Sequence, residues 1–433
     1  MAVARDNAIG KPTPSRGAYK RLLIIAFSSH WAKIANHGDH AKLGEAVRAD
    51  LWVLIINLDA LYWKILDAVL HGMNLIPSLE SLSPERFETP VILKKLAIAK
   101  SKLAELRGVA ASLPNQGILI NSLCLQEAKD SSAIENIVTT HDELFKEEFF
   151  PESLANTAAK KVLRYRQALR LGFEQVNQSG LLTNNHIIQI QAELEQKHAG
   201  YRKLPETALT NGLDQTVLTP TTHETVIPLM RDLERFINDD GCFAADPLIK
   251  MALLHYQFET IHPFHDGNGR TGRIINVLYL VKAGLLDIPV LHLSRYIVRT
   301  KADYYRRLQA VREQDAWEDW GLYMLTAIEV TASMTIQTIH AIKLALMDAK
   351  HRIRAQYRFY SQDLINSLFS HPYTNIEFIE RDLKVSRLTA TNHLAALTEG
   401  GFLQKHKIGC FDYYINLAFN VILTGEAIQG KPQ

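Results

Sequence analysis

A mainly α-helical protein with two small β insertions is the fold class that the sequence predicts. Apolar residues recur at helical spacing through Val91–Leu106, Ile187–Ala199, Thr225–Asp239, Pro247–Thr260 and Ile274–Val281. Strand and hairpin signals are confined to residues 203–220 and 402–415. The 433 residues, 47% apolar and 22% charged, are ordinary globular values and suffice for two or three domains with ample core.

Taken in order, residues 1–17 are rich in Gly, Pro and Ser and predict no packed structure. Residues 18–72 read as two apolar helices without a motif. Leu51–Leu70 is the most apolar window, but Asp59, Lys64 and Asp67 interrupt it, so no membrane span is expected. The apolar run near residue 22 is too brief for a secretory signal. Pro77, Pro84 and Pro90 then punctuate a linker ahead of the Val91–Leu106 helix. Between later helices lie Lys203–Gly212 and then Thr216–Pro220; Asn211-Gly212, flanked by β-branched and apolar residues, is a strong hairpin signal whose plain alternative is an ordinary surface hairpin. The Pro247–Thr260 helix stops before Pro263, because the residue preceding a proline is pushed out of helical geometry. That places His262 at a helix end.

Twelve residues concentrate the chemistry: His262-Pro263-Phe264-His265-Asp266-Gly267-Asn268-Gly269-Arg270-Thr271-Gly272-Arg273. Gly267 and Gly269 can take positive φ, so the turn can aim successive backbone N–H groups into one concavity. The helix beginning after the turn adds orphan N–H groups and partial positive charge, which favour a bound anion. Arg270 and Arg273 lie three apart on the first turn, where the dipole disfavours cations, and a bound anion would explain them. Asp266 is a hard oxygen ligand suited to Mg²⁺ held against phosphates. His262, titrating near neutrality, can take a proton from an attacking hydroxyl.

This run resembles, at every defined position, the Fic-family signature His-x-Phe-x-(Asp/Glu)-Gly-Asn-Gly-Arg-x-x-Arg, with the similarity extending from about Met73 to residue 340. The resemblance implies a Fic helical core with a β-hairpin flap. It also implies transfer of AMP from ATP to a protein hydroxyl, since relatives that phosphorylate carry a bulkier, lysine-bearing loop. His262 would be the general base and Phe264 a core anchor. Asp266 would ligate Mg²⁺, and the stretch Gly267, Asn268, Gly269, Arg270, Thr271, Gly272 and Arg273 would hold ATP. Thr219 and Pro220 of the flap would clamp the target segment by strand addition. Tyr304 and Tyr305, in Lys301–Leu308, would line the adenine site by stacking; the alternative is that both pack in the helical core. Ser131-Ser132-Ala133-Ile134-Glu135-Asn136 resembles the family's inhibitory pattern (Ser/Thr)-x-x-x-Glu-(Gly/Asn). By that likeness Ser131, Glu135 and Asn136 form an inhibitory element N-terminal to the core, as in the second Fic class. Glu135 would pair with Arg273 and deny it to the γ-phosphate of ATP. Ser132-x-x-Glu135 also reads as a helix capping box.

At the C-terminus, Asp363–Phe369, Ile376–Leu383 and Ser386–Leu397 predict three short helices, with Lys384-Val385-Ser386 as a tight turn and Phe402–Ile415 as a two-stranded wing. The segment resembles the winged helix-turn-helix appended to many Fic proteins. Arg387, Thr389, Asn392 and His393 would face outward to touch DNA or, equally, a protein. The expected domains are 1–72, an extension of unassigned role; 73–145, the helical region with the inhibitory element; 146–345, the catalytic core; and 361–420, the winged helix. A net charge of +2 argues against a generally basic nucleic-acid binder. Three scattered cysteines, Cys124, Cys242 and Cys410, form neither a disulfide framework nor a metal-ligand spacing and fit a cytoplasmic protein. The expectation is an autoinhibited adenylyltransferase acting on Ser, Thr or Tyr hydroxyls of proteins, itself included, and compatible with a homodimer. A nucleotide-sensing DNA-binding regulator and an enzyme that removes AMP through the same pocket are the alternatives. A chain beginning at Met73 is expected to keep the fold and the transfer activity.

Overall fold

The computed structural model describes residues 79–149, 156–203, 209–210, 216–218, 223–408 and 411–425. All belong to one contact unit, Leu75–Gln433. The readings for residues 1–72, the Met73 boundary, Thr219, Pro220 and Cys410 lie outside the described residues.

Two short 3-10 turns lead to α1 (Pro90–Ala111), whose start is fixed twice over: Pro90 is pre-set for a first helical turn, and the Thr89 hydroxyl accepts from the Ile92 N–H. Then follow α2 (Gly117–Ile134), α3 (His141–Phe149) and α4 (Thr157–Ser179). Asn156 caps α4 at its start, and Gly180 at φ 70° ends it. α5 (Asn184–Glu195) opens on a reciprocal cap between Thr183 and His186. The hairpin β1 (Leu209–Thr210) and β2 (Thr216–Leu218) is antiparallel. Thr210 pairs with Thr216, so Asn211 and Gly212 fall in the connection between the strands.

The centre of the molecule is α7 (Pro247–Ile261), which follows α6 (His223–Asn238) and precedes α8 (Asn268–Lys282). Every residue of α7 from Leu248 to Ile261 is buried, so the helix has no solvent face. α8 packs on α7, and α4 closes on α8 and α5 at Gly172: a Cβ there would lie 2.5 Å from Leu278 Cδ1 and 2.7 Å from Ile190 Cδ1. Only a hydrogen fits. Beyond α9 (Leu293–Arg299) and α10 (Lys301–Gln314) comes α11 (Trp317–Gln356), 40 residues and so about 60 Å long, which lies along α1. α11 runs unbroken through residue 345, where the sequence suggested a domain end.

The C-terminal module comprises α12 (Gln362–Ser370), β3 (Tyr373–Thr374), α13 (Ile376–Leu383), α14 (Arg387–Glu399), β4 (Leu403–Ile408), β5 (Phe411–Asn416) and α15 (Leu417–Thr424). Ser361, Asn375, Ser386 and Asn416 each cap the helix that follows them. The antiparallel sheet has the order β3-β5-β4, with Tyr373 opposite Ile415 and Leu403 opposite Asn416. β3 is a strand the sequence did not signal. Among the described residues, no helix is long and apolar enough to cross a membrane.

Candidate active site

α7 delivers His262 in the left-handed region, at φ 49° and ψ 59°. Pro263 bars His262 from continuing the helix, and the left-handed conformation it takes instead costs a residue with a Cβ on the order of 1 kcal/mol. The His262 N–H still bonds Phe258 O at 3.0 Å, while Arg202 secures the other side. Arg202, fully buried, donates from Nε to His262 O at 2.7 Å and from its backbone N–H to Pro263 O at 2.8 Å. Burial and the positive charge of Arg202 push the His262 imidazole down to about 4. At neutral pH it is therefore unprotonated, the state a base requires.

The loop after His262 is closed by its own side chains. Phe264 is fully buried against Tyr201 and Phe258, with ring centroids at 5.4 and 6.5 Å. Asn268 accepts from the Phe264 N–H at 2.8 Å and donates to Phe264 O at 2.7 Å, so its amide is spent on loop shape. Gly267, at φ 77°, caps α8. The first turn of α8 then presents the N–H groups of Asn268, Gly269 and Arg270 without intrahelical partners. Gly269 departs from the sequence reading: it lies within α8 without a positive φ, and the Glu135 and Arg273 side-chain ends close over it. A Cβ there would collide with Glu135 Oε1 and sit 3.0 Å from Arg273 Nη1.

The motif's later residues divide by face. Thr271 is fully buried, and a Cβ on Gly272 would meet Glu259 Oε1 at 2.5 Å and Phe258 Cδ1 at 3.0 Å. The Thr271 side chain and the Cβ position of Gly272 are thus enclosed by packing, so the ATP contacts that the resemblance implies for these two would come from their backbone. Arg273, 1% exposed, donates from Nε to Ser131 Oγ at 2.7 Å and from Nη2 to Ser131 O at 3.0 Å and Glu135 Oε1 at 2.8 Å. Burial opposes the Arg273 charge, but Glu135 and its neighbours hold the guanidinium above its ordinary range. Burial likewise opposes the Glu135 charge, and Arg273 nevertheless keeps that carboxyl below its ordinary range. Ser131 sits in the last turn of α2 and Glu135 is its C-cap, so a capping box, which opens a helix, is ruled out. Asn136 takes φ 60° and its Oδ1 accepts from Lys301 Nζ at 3.0 Å. That left-handed position explains why Asn or Gly suits it.

Two residues at the site carried no sequence signal. One is Arg202; the other is Glu195, the last residue of α5, whose Oε1 lies 2.5 Å from Arg270 Nη2. Asp266 is exposed on the loop, and its carbonyl accepts from Gln191 Nε2 at 3.1 Å. Among the described residues no group of three or more His, Cys, Asp or Glu side chains could cage a metal. Tyr304 is 1% exposed, bonded through its hydroxyl to His255 Nε2 at 3.0 Å and packed on Trp320. It belongs to the core, as the alternative reading had it, whereas Tyr305 keeps part of its ring at the surface, edge-on to Tyr304.

Residues 181–280, which span this site, match the Fic/DOC family, and residues 93–174 match the Fic/DOC family N-terminal region. The chain carries a Fic domain. Residues 346–419 match the C-terminal domain described as protein adenylyltransferase SoFic-like. Over 97 residues the Fic protein is 35% identical to protein adenylyltransferase fic-1 of Caenorhabditis briggsae, a stretch covering 22% of this chain and 18% of that one. Over 125 residues it is 30% identical to protein adenylyltransferase Fic of Drosophila ananassae, covering 29% and 22% respectively. The chain thus spans about a fifth of the length of these curated relatives. A solved Fic family protein from Desulfovibrio desulfuricans G20 aligns with a TM-score of 0.49 at 22% identity, covering 76% of this chain and 96% of that one. Fic-1 of C. elegans (residues 134–508) aligns with a TM-score of 0.46 at 19% identity, covering 58% and 74%.

In the C-terminal module of this Fic protein, α14 presents less than the sequence suggested. Arg387 and Asn392 are exposed, but Arg387 Nη1 lies 3.5 Å from Glu380 Oε2 and 4.0 Å from Glu377 Oε1. The His393 ring stacks on Phe359 at 4.1 Å, so its face is covered, and Thr389 joins the Ser386 cap at 2.9 Å. A basic reading surface for DNA is therefore weak here.

Proposed function

We propose that this Fic protein transfers AMP from ATP to a hydroxyl of a protein, and that Glu135 restrains it. The observation that carries the reading is an unprotonated His262 clamped beside a helix N-terminus whose two arginines are each occupied by a carboxylate. Such a site matches a polyanion that must displace or bypass those carboxylates. The names of the relatives point the same way.

In the proposed reaction, His262 takes the proton of a Ser, Thr or Tyr hydroxyl. The oxygen attacks the α-phosphorus, the new P–O bond gives protein-O-AMP, and the bond to the β-phosphate breaks to release pyrophosphate. The N–H groups of Asn268, Gly269 and Arg270 would hold the phosphate oxygens, with Arg270 and Arg273 on the outer phosphates. The exposed Asp266, alone among carboxylates on the loop, fits Mg²⁺ that arrives with ATP and keeps water and phosphate as its other ligands. Bound there, Mg²⁺ would neutralise phosphate charge. Tyr305 offers the remaining aromatic surface for adenine, and the β1–β2 hairpin an edge for the target backbone. A cytoplasmic setting accords with the free cysteines Cys124 and Cys242.

Intact-mass measurement after incubation with ATP and Mg²⁺ tests the proposal, with added AMP units as the expected result. His262→Ala should lower incorporation by about 10²–10⁴-fold while ATP affinity stays within a few-fold. Loss of binding in step with loss of rate would make His262 structural and sink the assignment.

A further inference from the structure

Two carboxylates, not one, stand over the anion-binding turn. Glu135 reaches Arg273 from the end of α2, and Glu195 reaches Arg270 from the end of α5. A Cβ built on Gly267 would lie 2.7 Å from Glu195 Oε1 and 3.3 Å from its Cδ, so this carboxylate is seated directly against the turn. The side chains of Arg270 and Glu195 are only 5% and 11% exposed. Yet Arg270 Nε and Nη1 are buried with no hydrogen-bond partner. A guanidinium has five donors in a planar fork, and a purely structural buried arginine normally has its fork satisfied. Here one edge faces a carboxylate and the rest await an acceptor.

We propose that Glu195 is a second gate on the nucleotide site: at rest its carboxylate takes the place of an outer phosphate on Arg270, and entry of a nucleoside di- or triphosphate expels it. This rests on the adenylyltransferase reading above. Two features make the gate able to open. Glu195 is the last residue of its helix, followed by Gln196 at φ 54°. Its carboxylate is held by a single partner, Arg270, so an anion on that guanidinium can replace it.

The rival role for Glu195 is to fix Arg270 in its working orientation and stay there. The two differ in sign. Isothermal titration of the full chain with ATP, ADP and AMP, in Mg²⁺, would compare the unaltered protein with Glu195→Gln, which removes the charge at constant shape. The gate predicts ADP and ATP binding tighter by about 5-fold or more, in the range of ordinary coupling between ligands. AMP, with no outer phosphate to replace the carboxylate, should be unchanged. Glu195→Asp keeps the charge but loses one methylene of reach, and should move ADP in the same direction; it also serves if the first variant does not fold. ADP affinity unchanged or weakened in a folded variant overturns the gate. Absence of adenine-nucleotide binding in both the unaltered protein and Glu135→Gly would instead overturn the adenylyltransferase reading itself, and the gate with it.

Discussion

Glu135→Gly should make the protein less stable and more active at once. Arg273 is held by three hydrogen bonds, of which the two to Ser131 survive the substitution. The guanidinium therefore keeps its place but loses its counter-charge. A bond to a charged group contributes about 1.5–3 kcal/mol net. The Glu135 side chain is 36% exposed, so solvent screening brings the loss toward about 1–2 kcal/mol. At ~2–4 °C per kcal/mol, the nucleotide-free melting temperature should fall by roughly 2–8 °C. ATP then supplies the missing anion. At a hundred times its Kd a ligand adds about 2.7 kcal/mol, more than the substitution removes. The variant should thus melt below the unaltered protein without ATP and at or above it with ATP, and AMP incorporation should rise at least about 10-fold. Differential scanning fluorimetry with and without ATP, paired with intact-mass counts of AMP, reads both quantities. A variant that melts lower under both conditions and incorporates no more AMP would refute the idea that Glu135 competes with a phosphate. So would a gain that survives Arg273→Ala.

Two further outcomes follow from the clamp around His262. Because its imidazole is pushed down to about 4, the rate of AMP transfer should be flat from about pH 8 to 5.5, and a fall centred near the ordinary histidine value of 6.5 would contradict the clamped, buried state of His262. The same lowered pKa means the unfolded chain takes up this proton before the native one does, so stability is lost as pH falls from about 6.5 toward 4, with His255 and His292 acting in the same direction. Arg202→Leu removes the donor to His262 O and should lower kcat by about 10–100-fold with ADP affinity nearly unchanged, since the phosphate-facing N–H groups belong to α8. A drop in ADP affinity as large as the drop in kcat would show that Arg202 supports the whole loop instead.

The sequence was most informative where chemistry forces residue identity at short range. Pro263 ends α7 and Gly267 begins α8, so the placement of His262 between two helices could be read from backbone rules alone. Glu135 and Arg273, 138 residues apart, were paired only through resemblance to a family pattern. Nothing local to either residue announces the other. Glu195 and Arg202 had no such pattern to mark them; each meets the loop through tertiary packing, and a helix-ending Glu or a loop Arg is unremarkable in a string of letters. Tyr304 shows the opposite failure. Family likeness suggested a nucleotide-facing ring, but burial of α7 on every side placed His255 behind it and drew the hydroxyl inward. For Thr271 and Gly272 a signature gives only spacing, and the rotation of α8 decides that their side-chain positions meet the core.

Gln126, on the same α2 that ends in Ser131 and Glu135, donates to the carbonyl of Leu423 in the final helix at 2.6 Å. α12 leans on α2 as well, and the Phe145 ring stacks on Tyr373 at 4.1 Å. The last described helix and the start of the C-terminal module are thereby fastened to α2 and its neighbour α3. Trimming the protein after α11 would remove the C-terminal module and strip one wall from α2 in the same cut. With Glu135 acting as proposed, an isolated catalytic fragment would show a basal activity above that of the whole chain. Conversely, a shift of the module would bear on the middle of the helix whose C-terminal end holds Arg273.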